Sequence, residues 1–163
     1  MRKSWMIIAV LLLFLTGCAA EETFETIADE QIAEVLAQPK QIYVELPGEA
    51  ASPAVESDSG RLYMCQNYDI SVQILDGGDL NATVSTLSGY EKENLTVMET
   101  QRNGVSCYEF VWASAGETGD QVGQAMILSD GSYHYCLTVM ADADKAASNQ
   151  VYWDAMFASF RLA

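Results

Sequence analysis

The chain has 163 residues, 50% apolar and 10% aromatic, with 23 acidic against 8 basic side chains and a formal net charge of -15. That apolar share fills the core of one ordinary globular domain and excludes the disordered and collagen-like classes. The charge excludes nucleic acid as a partner, because polyanions are held by clustered Lys and Arg, and here the basic residues scatter from Arg2 to Arg161.

Arg2 and Lys3 precede an apolar run from Trp5 to Leu15, too short to span a bilayer as a helix, which is the pattern of a secretion signal. The run ends in Leu15-Thr16-Gly17-Cys18, which resembles the lipobox of bacterial lipoproteins. The resemblance implies that residues 1–17 are removed and that Cys18 becomes the mature N-terminus carrying diacylglycerol. An ordinary signal peptide cleaved at Ala19-Ala20 is the competing reading. Several acyl chains give stable anchoring where one is marginal, since each buried methylene contributes about 0.8 kcal/mol. Cleavage removes two basic residues and no acidic one, so the mature chain is more acidic still and is repelled by anionic lipid heads. The acyl anchor must therefore supply the membrane attachment.

Residues 18–40 read as an acidic tether. Phe24, Ile27, Ile32, Val35 and Leu36 recur at helical spacing, so 23–38 forms either an amphipathic helix stopped by Pro39 or an extended stalk. A single domain is expected over 41–163. Ile42, Val44 and Leu46 alternate with Tyr43 and Glu45 as in a strand, and a Pro/Gly-rich connection follows. Leu62 to Leu75 reads as one long strand with Tyr68, Ile70, Val72 and Ile74 on one face. Asp79 is placed to cap a helix from Leu80 to about Ser88, with Leu80, Val84 and Leu87 on one stripe and Gly89 ending it.

Leu95 to Gln101 is again strand-like, and Asn103-Gly104 is a strong hairpin signal. That turn sets Arg102 against Val105, Val97 against Phe110 and Leu95 against Trp112, with Tyr108, Phe110 and Trp112 sharing a face. An acidic loop from Ser114 to Asp120 leads to a strand over Val122 to Leu128, and Asp130-Gly131 turns the chain into another over Ser132 to Met140. Trp153, Met156, Phe157 and Phe160 are spaced i, i+3, i+4 and i+7, the apolar stripe of a helix over about Ser148 to Ser159. The expected fold is α+β: an antiparallel sheet meander with this C-terminal amphipathic helix packed on one face. The aromatic residues are assigned to that sheet–helix core in preference to a glycan platform, and Tyr63, Tyr68, Tyr90, Tyr133 and Tyr135 are expected to be partly exposed.

The element order and the ending from Tyr152 to Phe160 resemble the small bacterial lipoproteins with a PsbP/Mog1-like domain. The resemblance covers about residues 41–163 and implies a non-enzymatic role in binding or assembly at membranes.

No catalytic, cofactor or metal motif stands out. There is no CxxC or HxxxH pair, P-loop, dinucleotide fingerprint or GxSxG. Asp142, Asp144, Ser148 and Asn149 lack the glycine and closing glutamate of a calcium loop and fit a helix N-terminus instead. Asn81-Ala82-Thr83 and Asn94-Leu95-Thr96 match glycosylation sequons, but a lipobox implies a bacterium. The sole histidine, His134, shares a strand face with Cys136 and is expected to be half-exposed; Cys65 or Cys107 could reach it from a neighbouring strand. Once Cys18 is acylated three thiols are left, read either as buried apolar residues or as one disulfide joining Cys136 to Cys107 or Cys65. The sequence therefore reads as a lipid-anchored, extracytoplasmic, non-catalytic module for an envelope protein or small ligand. The alternative is an envelope hydrolase or thiol enzyme built on Cys136 or on Asp76 and Asp79.

Overall fold

In a computed structural model the described residues are 38–115 and 119–163; the leader, Cys18 and the 23–38 segment fall, but for Gln38, outside them. No described helix is long and apolar enough to cross a membrane.

In chain order the elements are β1 (Ile42–Tyr43), β2 (Val55–Ser57), β3 (Gly60–Met64), β4 (Tyr68–Asp76), α1 (Leu80–Ser88), β5 (Met98–Arg102), β6 (Val105–Ala115), β7 (Asp120–Ser129), β8 (Tyr133–Asp142), α2 (Ala143–Ser159) and β9 (Arg161–Leu162). Seven strands form one antiparallel sheet in the order β2-β3-β4-β8-β7-β6-β5, and β1 pairs with β9 in a separate ribbon. The expected meander of β5 to β8 is present, and a second meander, β2 to β4, joins it along β4 and β8. The fold is thus α+β, with α1 connecting the two meanders.

Pleating then divides the core in two. Tyr68, Ile70, Val72, Tyr135, Leu137 and Val139 pack against Trp153, Met156, Phe157 and Phe160 of the C-terminal segment. On the other face Phe110, Trp112, Ala125, Ile127 and Cys136 pack under Val84 of α1. The two aromatic sets therefore occupy opposite faces and do not share one core. Tyr63, Tyr68 and Tyr135 are buried, contrary to expectation, because the C-terminal helix and the segment before β2 close over them.

Local rules account for most boundaries. Asp79 accepts a hydrogen bond from the Ala82 amide at 3.2 Å, and Gly89 ends α1 at φ 77° with its N–H on the Ser85 carbonyl. Such an N-cap is worth about 1 kcal/mol. The Asn103-Gly104 turn takes positive φ at both residues, and the register set by Arg102 opposite Val105 holds as far as Met98 opposite Glu109. Leu95 and Val97 precede the paired strand but still pack against the Phe110–Trp112 cluster.

Two strand expectations need correction. Leu62 to Leu75 is not one strand but two, β3 and β4, turned at Cys65-Gln66-Asn67 with the Cys65 amide on the Tyr68 carbonyl at 2.9 Å. That turn has no Gly or Pro to announce it. Of Gln41 to Leu46 only Ile42–Tyr43 is a strand, although Ile42, Val44 and Leu46 all pack inward. The C-terminal helix begins at Ala143, earlier than the apolar stripe shows, with Asp144 in its first turn complementing the dipole.

Candidate functional site

The segment 39–46 lies as a strap against the sheet, and both ends are tied down. At its start the Lys40 amide donates to the Tyr135 hydroxyl at 2.8 Å, and that hydroxyl donates to Asp130 Oδ2 at 2.9 Å. Lys40 Nζ lies 3.7 Å from the same carboxylate oxygen. Asp130 Oδ1 meanwhile accepts the Ser132 and Tyr133 amides at 3.1 and 2.9 Å, forming the β7–β8 turn. Burial pushes the Asp130 carboxyl up, but these donors and Lys40 outweigh it and hold the group below its usual range. The Tyr135 hydroxyl is pushed up to about 12, first by burial.

Further along, Tyr43 pairs with Arg161, whose guanidinium also sits 3.6 Å from the centre of the Tyr43 ring. The Glu45 amide donates to Ser159 Oγ at 2.8 Å, and Ala163 N–H to the Gln41 carbonyl at 2.8 Å. The strap is thus held by the β7–β8 turn, the end of α2 and the last strand.

Between the strap and the β2–β3 hairpin runs an open groove of about 440 Å³. Its buried and half-buried lining is apolar: Ile42, Val44, Tyr63, Val72 and Ile74. Its exposed lining is mostly polar, with Lys40, Gln41, Ser57, Asp58, Ser59 and Arg61 beside Pro39 and the Tyr43 ring. The groove is open to solvent and more polar than apolar at its surface, so only its floor offers the hydrocarbon contact that small-molecule sites usually provide. Sequence reading found the alternation of the strap but not the groove, because the opposite wall comes from residues about 15 to 30 positions away.

The structure places the chemically suggestive residues elsewhere. His134 is 3% exposed, not half-exposed, because α1 lies over it. Its Nδ1 is 2.7 Å from Thr83 Oγ1, a buried link between α1 and β8. Cys136 shares that face, but its thiol contacts the His134 carbonyl rather than the ring, and burial pushes the thiol up to about 12. Cys107 and Cys65 belong to the opposite face of the sheet, so neither approaches His134 or Cys136. All three cysteines are free, and the sheet itself separates Cys136 from both expected disulfide partners. Burial, with Glu49 and Asp69, pushes the half-buried Cys65 thiol up to about 11. None of these thiols has the electropositive, exposed setting of a reactive cysteine.

Asp79 spends its carboxylate on the α1 cap, while Asp76 ends β4 opposite Tyr133. Ser148 Oγ and Asn149 Nδ2 both donate to the Lys145 carbonyl, and Asp144 pairs with Lys145. Among the described residues no group of three or more His, Cys, Asp or Glu is arranged to hold a metal ion.

No protein-family model matches the chain, and no curated protein does. Solved structures do. LpqN of Mycobacterium tuberculosis, a protein involved in cell envelope biogenesis, superimposes with a TM-score of 0.50 and 14% identity, over 77% of this chain and 86% of that one. A protein of Bacteroides thetaiotaomicron VPI-5482 gives a TM-score of 0.51 at 7% identity, over 75% of this chain but 45% of its own. The cyanobacterial PsbP of Synechocystis sp. PCC 6803 gives 0.48 at 12% identity, over 77% of this chain and 84% of that one. The likeness to LpqN shows a common fold.

Proposed function

We propose that the chain is a lipid-anchored module of the bacterial cell envelope, acylated on Cys18 and held on the extracytoplasmic face, which binds a small amphiphilic ligand in the groove beneath the strap. It is not an enzyme on this reading. The groove carries the proposal: an apolar floor for the ligand's hydrocarbon part, and hydroxyl and charged groups at the rim for its polar part. The Leu15-Thr16-Gly17-Cys18 sequence supports the address, and the LpqN-like fold supports an envelope setting. The burial and raised thiols of Cys107 and Cys136 weigh against a thiol enzyme.

The test is native mass spectrometry of the full chain, purified in detergent after exposure to a small-molecule extract of the envelope. A discrete adduct is expected on the parent protein and not on Ser59→Trp, which fills the exposed side of the groove. An adduct of equal yield on the folded variant would overturn the groove. The mass of the mature chain tests the address separately, since Cys18→Ala should lack both cleavage after residue 17 and the diacylglycerol increment.

A further inference from the structure

The seven-stranded sheet has two edges, and they differ. At one end β2 is only three residues long, with a single residue, Glu56, between its two hairpin-bonded positions. Short edges of this kind are protected against pairing. At the other end β5 is five residues long, and Met98, Glu99, Thr100 and Gln101 are all exposed. It contains no proline.

The hairpin determines which main-chain groups that edge presents. A two-residue turn makes Arg102 and Val105 the closing hydrogen-bonded pair, and bonded pairs then alternate along the ladder. Thr100 and Met98 therefore point their N–H and C=O groups toward β6. Glu99 and Gln101 point theirs outward, where no backbone partner meets them among the described residues. This is a row of unpaired donors and acceptors in strand geometry, the template on which extended segments add to a sheet.

We propose that the β5 edge is the docking site for an extended segment of a basic partner protein, which adds as an eighth strand with basic and apolar side chains alternating. The alternation follows from the pleat. An added strand sets alternate side chains beside Glu99 and Gln101 on one face and beside Met98 and Thr100 on the other. On the second face Met98 and Val111 are 58% and 61% exposed, and Glu109 lies directly opposite Met98. Glu91 and Glu93, with Lys92 between them, precede the strand by five to seven residues, while the one basic residue of β5, Arg102, turns its guanidinium to the end of α2. An acidic edge on an acidic protein repels a second copy of this chain and favours a cationic partner.

The probe is a synthetic ten-residue peptide of alternating Lys and Val, with an alternating Glu and Val peptide as control, added to the full chain in nonionic detergent. The readout is amide-resolved hydrogen exchange. With the Lys peptide, the Glu99 and Gln101 amides should exchange about tenfold more slowly, and the Glu peptide should leave them unchanged. Glu99→Lys alters only an exposed side chain, so it should weaken the Lys peptide about tenfold and admit the Glu peptide. Gln101→Pro removes one outward donor and should abolish the protection at Glu99. Unchanged exchange at both amides, or equal protection by the two peptides, overturns the proposal.

Discussion

The guanidinium of Arg102, the last residue of β5, donates from Nη1 to the Phe157 carbonyl of α2 at 2.7 Å. It also donates to the Ala158 carbonyl and contacts Met126 Sδ at 3.2 Å. A residue just before a tight hairpin turn thus satisfies the last carbonyls of a helix more than fifty residues away. The positive charge also complements the helix dipole at that end.

Arg102→Ala should leave those carbonyls short of a donor and cost about 2 kcal/mol, as charge-assisted hydrogen bonds do. Arg102→Lys should recover only part of this, because an ammonium lacks the planar fork that reaches two carbonyls. Urea midpoints for the three proteins give the answer; equal midpoints would show that α2 does not depend on Arg102.

His134 makes stability depend on mildly acidic pH. Burial holds its imidazole below the ordinary 6.5, against the pull of the Asp130 and Asp79 carboxylates. A depressed folded-state value means that the unfolded chain binds the proton first. The contribution of neutral His134 is therefore complete above about pH 6.5 and is lost as pH falls from there toward the folded value. Unfolding free energy should decline as pH falls below about 6.5 in the parent protein. In His134→Gln the decline should disappear, since the chain has one histidine. A slope surviving in the variant would assign it to other groups.

Gly123 sits directly beneath the Trp112 indole. A Cβ built there would lie 2.2 to 2.7 Å from the indole atoms, so any side chain forces the ring to move. Gly123→Ala should cost about 1–3 kcal/mol, the usual effect of overpacking. The near-ultraviolet dichroism of Trp112 should change with it, and an unaltered spectrum would contradict the packing.

The thiols should react in a fixed order. Cys65 is half-buried, while Cys107 and Cys136 are 1% and 0% exposed. An aromatic disulfide reagent applied to the folded protein should modify Cys65 alone, and slowly, because its thiol is raised to about 11. Alkylation after unfolding without reductant should then find Cys107 and Cys136 both free. A product lacking two alkyl increments would reveal a disulfide.

Features whose causes are local were legible in the sequence. The Asp79 and Gly89 caps of α1, the Asn103-Gly104 turn and its register, and the apolar stripe of the last helix all depend on neighbours within about one turn or one hairpin. Strand alternation also assigned Cys136 and His134 to one face of β8 and Tyr135 and Leu137 to the other.

What covers each face depends on long-range packing. Alternation says that two residues point the same way, but not which helix lies above them, so the aromatics read as one core belong to two. The same ambiguity hid the burial of His134 under α1 and the separation of Cys136 from Cys65 and Cys107. The break at Cys65-Gln66-Asn67 carries no Gly or Pro and shows only once β3 and β4 pair as a hairpin. The strap groove and the open β5 edge arise only when strands distant in the chain are set side by side. Such pairings are chosen by the free energy of burying a whole sheet face, which no short stretch of sequence contains.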